Sequence, residues 1–180
     1  GGGASSAKDF IERLAEVREY TEKIGKLNAG LKKNPENIFL LKKRGDLLTG
    51  LGFNEEPSRL MQGIKDYEKA RSLDPDNKTG VEADLSYLKL LRPTQAEEEE
   101  EKDPTKLFES IAGGFRDFAA QYPSSHRVPA TLFLRARIEL MLDRSESGQK
   151  LLKDYLKKYP DHELAAEARY ILEAIREVEH

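Results

Sequence analysis

The 180-residue chain is rich in charged residues and contains no cysteine, and its formal net charge is only −3. Without cysteine the chain has no disulfide, no thiolate metal site and no cysteine nucleophile. A net charge this small gives no general attraction to nucleic acid, and no apolar stretch approaches the roughly 20 residues of a membrane-spanning helix. Charged residues make up 35% and hydrophobic residues 38%, a mixture typical of amphipathic helices.

Apolar residues recur at steps of three and four along most of the chain, which is the period of an amphipathic helix. No segment alternates with the period of a strand, so we predict an all-α fold. The predicted helices cover about 7–33, 36–51, 58–73, 77–91, 104–121, 127–142, 145–158 and 163–177. Residues 1–6 are small and predict a flexible segment, either a tag left by cloning or the tether of a lipoprotein whose lipidated cysteine precedes Gly1.

Four prolines end four of the predicted helices in closely similar contexts. Each follows Asn, Asp or Tyr and precedes Asp, Glu or Ser, and they are Pro35, Pro75, Pro123 and Pro160. Proline cannot continue a helix because it lacks an N–H, and a nearby Asn, Asp or Ser caps the helix that follows. The intervals between these prolines are 40, 48 and 37 residues. The chain therefore reads as a series of helix pairs joined by loops of unequal length.

Two features of the second half need a separate interpretation. Residues 97–101 are five consecutive glutamates, whose mutual repulsion predicts a solvated loop or a frayed helix end. A weak site for Ca²⁺ or for a basic partner is the alternative. Gly113 and Gly114 lie inside the fifth predicted helix, where each glycine costs about 1 kcal/mol of helix stability relative to alanine. We interpret them as a point of close helix–helix approach, with a kink as the alternative.

Residues 63–77 carry a small residue, an aromatic residue, an alanine and a proline at successive spacings of four, three and five. These residues are Gly63, Tyr67, Ala70 and Pro75. The pattern resembles the second helix of a tetratricopeptide repeat, in which small residues let two helices approach closely and large residues fill the space beside them. Upstream, Gly45 and Gly52 match the two small positions of the first helix, whereas Arg44 stands where a large apolar residue is usual.

The second half resembles bacterial envelope members of the same family, of the outer-membrane assembly lipoprotein and Tol–Pal coordination types. The resemblance rests on the Tyr-Pro endings of residues 115–123 and 152–160, and Ala136 falls at a close-packing position. It implies a right-handed superhelical solenoid of about eight helices in antiparallel pairs, forming one domain over residues 7–178. Its repeats would cover 36–76, 77–124 and 127–161, followed by a capping helix at 162–178, with residues 93–103 as an acidic insertion. The alternative is two separate helical bundles joined by the acidic segment.

The chain has no pattern typical of an enzyme. It contains no phosphate-binding glycine loop, no nucleophile elbow and no paired metal-ligating histidines, so we predict no catalytic residue, metal or cofactor. The resemblance instead implies a concave surface, lined by the first helix of each repeat, that binds an extended peptide. The positions that it assigns to this surface are Phe39, Lys42, Asp46, Thr49, Thr79, Glu82, Ser86, Lys89, Phe133 and Arg137. An aromatic residue among cations suits a peptide that carries acidic groups.

The expected function is a protein-binding scaffold that helps to assemble a bacterial cell-envelope complex. The resemblance implies a periplasmic location, with a lipid anchor upstream of Gly1 that would attach the protein to the outer membrane. The alternative is a cytoplasmic adaptor or chaperone for a secreted or regulatory partner. We expect no nucleic-acid partner and no transmembrane segment, and the sequence leaves the oligomeric state open.

Overall fold

The computed structural model describes residues 3–50, 57–91 and 103–178. Within these ranges all regular secondary structure is helical, which confirms the predicted fold class. The helices are α1 (Gly3–Lys33), α2 (Ile38–Leu48), α3 (Pro57–Leu73), α4 (Val81–Leu91), α5 (Pro104–Gln121), α6 (Val128–Met141), α7 (Ser145–Lys158) and α8 (Ala165–Val178). Helix α1 includes residues 3–6, for which the sequence predicted a flexible segment. Gly52 and the five glutamates lie outside the described residues.

All four prolines occupy the second position of a tight turn, where the fixed φ of proline fits. In each turn the N–H two residues after the proline donates to the carbonyl of the residue before it, at 2.9 to 3.3 Å. After the first turn, Asn37 caps α2 directly, because its side chain accepts from the Leu40 N–H at 3.0 Å. The predicted cap by an Asn, Asp or Ser that follows the proline is therefore confirmed there, at the second residue after Pro35.

Helices α4 and α8 begin later than the sequence predicted. A second turn follows each of the three later prolines, closed for example by the Gly80 N–H donating to the Asn77 carbonyl at 3.2 Å. Asn77 and Gly80 have positive φ angles of 52° and 70°, so a right-handed helix cannot pass through them. Helix α4 therefore begins at Val81 instead of residue 77.

The chain divides into two compact units, residues 1–85 and residues 86–180. The division falls inside α4, between Leu85 and Ser86. The first unit contains α1, α2, α3 and the start of α4. The second contains the rest of α4 and α5 to α8.

In the first unit, α2 and α3 pack at a point where two glycines face each other. A Cβ atom on Gly63 would lie 3.3 Å from the Gly45 carbonyl oxygen and 2.6 Å from the Thr49 side chain. A Cβ atom on Gly45 would lie 2.8 Å from the Tyr67 ring, and Tyr67 and Ala70 are completely buried. The predicted alternation of small and large residues is confirmed for this helix pair.

The α6 and α7 pair in the second unit repeats this contact. A Cβ atom on Gly148 would lie 3.1 Å from the Ala136 carbonyl oxygen. Leu152 and Tyr155 follow Gly148 at the same spacings as Tyr67 and Ala70 follow Gly63, and both are completely buried. The facing small residues are 18 positions apart in the first pair and 12 in the second, so the first loop is six residues longer.

In the second unit, α4 and α5 pack through aromatic side chains. Tyr87 of α4 lies 6.2 Å from Phe115 and 5.9 Å from Phe118 of α5, measured between ring centroids. A Cβ atom on Gly114 would lie 2.5 Å from Leu90 of α4, whereas one on Gly113 would meet nothing within 4 Å. The close approach predicted for this glycine pair is therefore confirmed at Gly114 alone.

Arg44, which departs from the apolar residue usual at its position, forms an ion pair with the buried Asp66. Its Nε and Nη2 atoms each lie 2.7 Å from a carboxylate oxygen of Asp66, and its Nη1 donates to Asn28 at 2.8 Å. Gln62 also donates to Asp66, at 3.1 Å. The hydrogen bonds to Asp66 raise the pKa of Arg44. Together with the bond to Asn28, they join α1, α2 and α3.

Replacing Gly63 tests the close contact between α2 and α3. We expect Gly63→Ala to lower the free energy of unfolding by about 1–3 kcal/mol, because the backbone of α2 blocks the added methyl group. Gly25→Ala is the matched control: nothing lies within 4 Å of its added Cβ, so it should raise the free energy of unfolding by about 0.5–1 kcal/mol. Urea denaturation measures both, and equal stability of the two variants would contradict the contact.

Removing Arg44 tests the ion pair. We expect Arg44→Met to lower the free energy of unfolding by about 3 kcal/mol, because it leaves the Asp66 carboxylate buried without its cation. The double variant Arg44→Met/Asp66→Leu should recover most of that loss. A double variant as unstable as the single one, measured by the same denaturation, would show that packing and not charge decides the effect.

Candidate protein-binding site

A groove of about 530 Å³ lies between α1 and α2 in the first unit. Its walls are formed by Lys23, Lys26 and Leu27 of α1 and by Lys43, Asp46 and Leu47 of α2. The two leucines are half-buried and the three lysines are exposed. The groove is therefore apolar at its base and positively charged at its rim.

The two helices can form this groove because they approach closely at one end. A Cβ atom on Gly30 of α1 would lie 2.8 Å from the Leu40 side chain of α2. The Asn34-Pro35 turn then reverses the chain within a few residues, which places the two helices side by side.

The lysines of the rim have only weak partners. Lys23 pairs with Glu19 at 2.6 Å and Lys26 pairs with Glu22 at 3.1 Å, along the surface of α1. All four side chains are more than half exposed, and pairs of this kind contribute little to stability. The hydrogen bond from Lys23 lowers the pKa of Glu19. A carboxylate of a ligand can therefore replace these partners at small cost.

Phe39 extends the site along α2. Its ring is 64% exposed, and the Lys43 ammonium lies 4.4 Å from the ring centroid. Asp46, on the wall of the groove, accepts a hydrogen bond from the Tyr67 hydroxyl at 2.6 Å. Of the ten residues expected on a peptide-binding surface, Asp46 lines this groove, and Phe39 lies beside it through its contact with Lys43.

Lys42 and Thr49 make their contacts inside the first unit. The Lys42 ammonium lies 3.4 Å from the Asp84 carboxylate and donates to the Thr79 carbonyl, and the side chain is only 18% exposed. Thr49 is 2% exposed, and its hydroxyl donates to the Gly45 carbonyl at 2.8 Å. The outward orientation expected for Thr49 is therefore wrong, because its methyl group packs opposite Gly63.

Thr79 lies in the turn before α4, and Glu82 lies in the first turn of α4. The Asp74 carboxylate accepts from the Thr79 N–H at 2.7 Å and from the Thr79 hydroxyl at 2.6 Å. These bonds lower the pKa of Asp74. Glu82 pairs with Arg71 of α3. Both predicted residues thus have structural partners within the first unit.

The remaining predicted residues lie in the second unit and do not form one site there. Phe133 is 1% exposed and packs against Tyr155 at 5.7 Å between ring centroids, so the outward orientation expected for it is wrong. Ser86 lies 3.4 Å from the Tyr122 hydroxyl oxygen, and Lys89 is exposed. Arg137 is half exposed and lies 3.5 Å from Glu167 of α8.

The sequence analysis did not assign Lys23, Lys26 or Lys43 to a site. The available signal was the arrangement in α1, where two lysines three residues apart precede a half-buried leucine, Leu27. From this arrangement, the sequence alone predicts only a positively charged edge on α1. The position of Lys43 opposite it depends on how α1 and α2 pack.

None of the helices described is long and apolar enough to cross a membrane. Comparisons of the chain with protein-family models, with curated proteins and with solved structures each found no match.

Charge reversal at Lys42 and at Arg137 compares the effect on stability of a cation in a buried ion pair with that of a cation on the surface. We expect Lys42→Glu to lower the free energy of unfolding by about 2 kcal/mol, because it places a carboxylate beside the buried Asp84. Arg137→Glu should change it by less than about 0.5 kcal/mol, since both side chains of that pair are about half exposed. Thermal or urea unfolding distinguishes the two, and equal effects would contradict these assignments.

Proposed function

We propose that the chain is a non-enzymatic scaffold that binds an extended, acidic segment of another protein in the groove between α1 and α2. The observation that carries the proposal is the combination of three exposed lysines, a leucine base and the exposed ring of Phe39. In an extended peptide, successive side chains point to opposite sides. Alternating apolar and acidic residues would therefore place apolar groups on the leucines and carboxylates near the lysines.

We further propose that the helix pairs are tetratricopeptide-like repeats in a right-handed solenoid. Support comes from the shared packing rule of the α2–α3 and α6–α7 pairs, in which small residues face each other and a large buried residue, Tyr67 or Leu152, follows the glycine four positions later. The Gly63-Tyr67-Ala70-Pro75 pattern supports the same assignment. In such repeats one face of each pair remains available for a partner.

The proposed setting is the assembly of a bacterial cell-envelope complex in the periplasm, with attachment to the outer membrane by a lipid. It rests on the Tyr-Pro endings after α5 and α7 and on the resemblance that they carry. A cytoplasmic adaptor is the alternative. A signal sequence with a lipidation site encoded upstream of Gly1 would support the envelope setting, and an initiating methionine directly before Gly1 would contradict it.

Binding of two synthetic decapeptides tests the groove. One alternates Glu with Leu and the other alternates Lys with Leu, and each carries a fluorescent label for anisotropy. We expect the acidic peptide to bind at least tenfold more tightly than the basic one. The Lys23→Glu/Lys43→Glu variant should lose at least tenfold in affinity for the acidic peptide.

The control is Lys65→Glu/Lys78→Glu, which makes the same charge change at exposed lysines outside the groove. It should retain most of the affinity. Equal losses in the two double variants would show general electrostatic attraction, and equal binding of the two peptides would contradict the proposed ligand.

A further inference from the structure

The first half of α1 carries an apolar surface that no other part of the described chain covers. Its side chains are 53–65% exposed, although each is large and apolar. They are Phe10, Ile11, Leu14 and Val17. Single exposed apolar residues are common on soluble proteins, but four within about two helical turns form a continuous patch. We refer to these four residues as the α1 stripe.

The α1 stripe continues an interface that the fold already uses. Positions on this face of α1 alternate strictly at steps of three and four from Ala7 to Leu31, the spacing of a coiled-coil seam. Towards its end the same face is covered: Leu31 is 7% exposed, and Asn28 accepts a hydrogen bond from Arg44 of α2. Tyr20, beside the seam, is buried under the Arg59 guanidinium of α3, 5.1 Å from its ring centroid. After residue 19, α2 and α3 therefore cover this face in part: Leu31 is buried and Ile24 is half-buried, whereas Thr21 and Asn28 remain exposed. Before residue 19 the apolar side chains of this face are exposed.

Charge is distributed unevenly around the open part of the seam. At 100° per residue, Arg13 lies on one side of the seam formed by Phe10, Leu14 and Val17. Arg18 lies on the other side, next to Ile11, whereas the acidic side chains lie on the far face of the helix. The acidic residues are Asp9, Glu12, Glu16 and Glu19. Both edges of the open seam therefore carry a positive charge and neither carries a negative one.

We propose that the α1 stripe binds an amphipathic helix of another protein, with carboxylates on both sides of its apolar seam. Such a helix would lie along residues 7–18, extend the helix–helix contact that α2 and α3 begin, and pair its carboxylates with Arg13 and Arg18. This surface is separate from the groove between α1 and α2. The proposal therefore stands whether or not the groove binds a peptide.

The same charges disfavour two other occupants. A second copy of the chain would place Arg13 against Arg18 in a parallel pair, and it offers no acidic residue at either edge in an antiparallel pair. An anionic membrane would meet a segment with a net charge of −1, since residues 7–19 contain three basic and four acidic residues. That charge provides no general attraction to the membrane surface.

The test uses two synthetic helical peptides of three heptads with leucine at both seam positions. One peptide carries Glu at both flanking positions and the other carries Lys, and binding to the full chain is measured by fluorescence anisotropy. We expect the Glu peptide to bind at least tenfold more tightly, and we expect Arg13→Glu/Arg18→Glu to reverse this preference. Leu14→Asp/Val17→Asp should lose at least tenfold in affinity.

Three controls keep the outcomes separate. Glu16→Gln changes a charge on the far face of the same helix and should bind as the unmodified chain does. Lys23→Glu/Lys43→Glu, which disables the groove, should also bind the Glu peptide normally. Because the α1 stripe is exposed, Leu14→Asp/Val17→Asp should keep the thermal midpoint of the unmodified chain.

Each other outcome would overturn the proposal. Equal affinity for the two peptides would contradict the charge argument. Sedimentation velocity that shows a dimer dispersed by Leu14→Asp/Val17→Asp would identify a second copy as the occupant. Flotation with vesicles of three parts phosphatidylcholine to one part phosphatidylglycerol, lost in that variant, would identify a membrane.

Discussion

The contact on which both units depend is the approach of two helix backbones at small residues. Gly63 lies against the Gly45 carbonyl in one unit, and Gly148 lies against the Ala136 carbonyl in the other. A side chain at either glycine would separate the helices, and the aromatic residues that surround the contact would lose their neighbours. The close approach thus fixes which faces of the helices are buried, and the surfaces that remain follow from it.

The helices and their ends could be predicted from the sequence because they depend on local chemistry. The periodicity of apolar residues, the prolines and the small residues at Gly45 and Gly63 are all visible in the chain itself. The late start of α4 could not be predicted in the same way. It depends on the left-handed conformations of Asn77 and Gly80, which insert a second turn before the helix.

The candidate site could be predicted only in part, since it depends on contacts between helices that are distant in sequence. Thr49 and Phe133 were expected outside and are buried, because the register assigned their faces without showing which neighbour packs against them. Lys42 pairs with Asp84, 42 residues later, which no local pattern reveals. The groove combines lysines of α1 with Lys43 of α2, and only the packing of those helices places them together.

The central claim is that each unit is built on one tightly packed helix pair, and that the first half of α1 remains uncovered. Hydrogen exchange of the free protein, followed by mass spectrometry, tests it most directly. The account predicts the slowest amide exchange in α3 and α7, where the backbones meet, and fast exchange over residues 8–19. Slow exchange over residues 8–19, or fast exchange in α3 and α7, would contradict it.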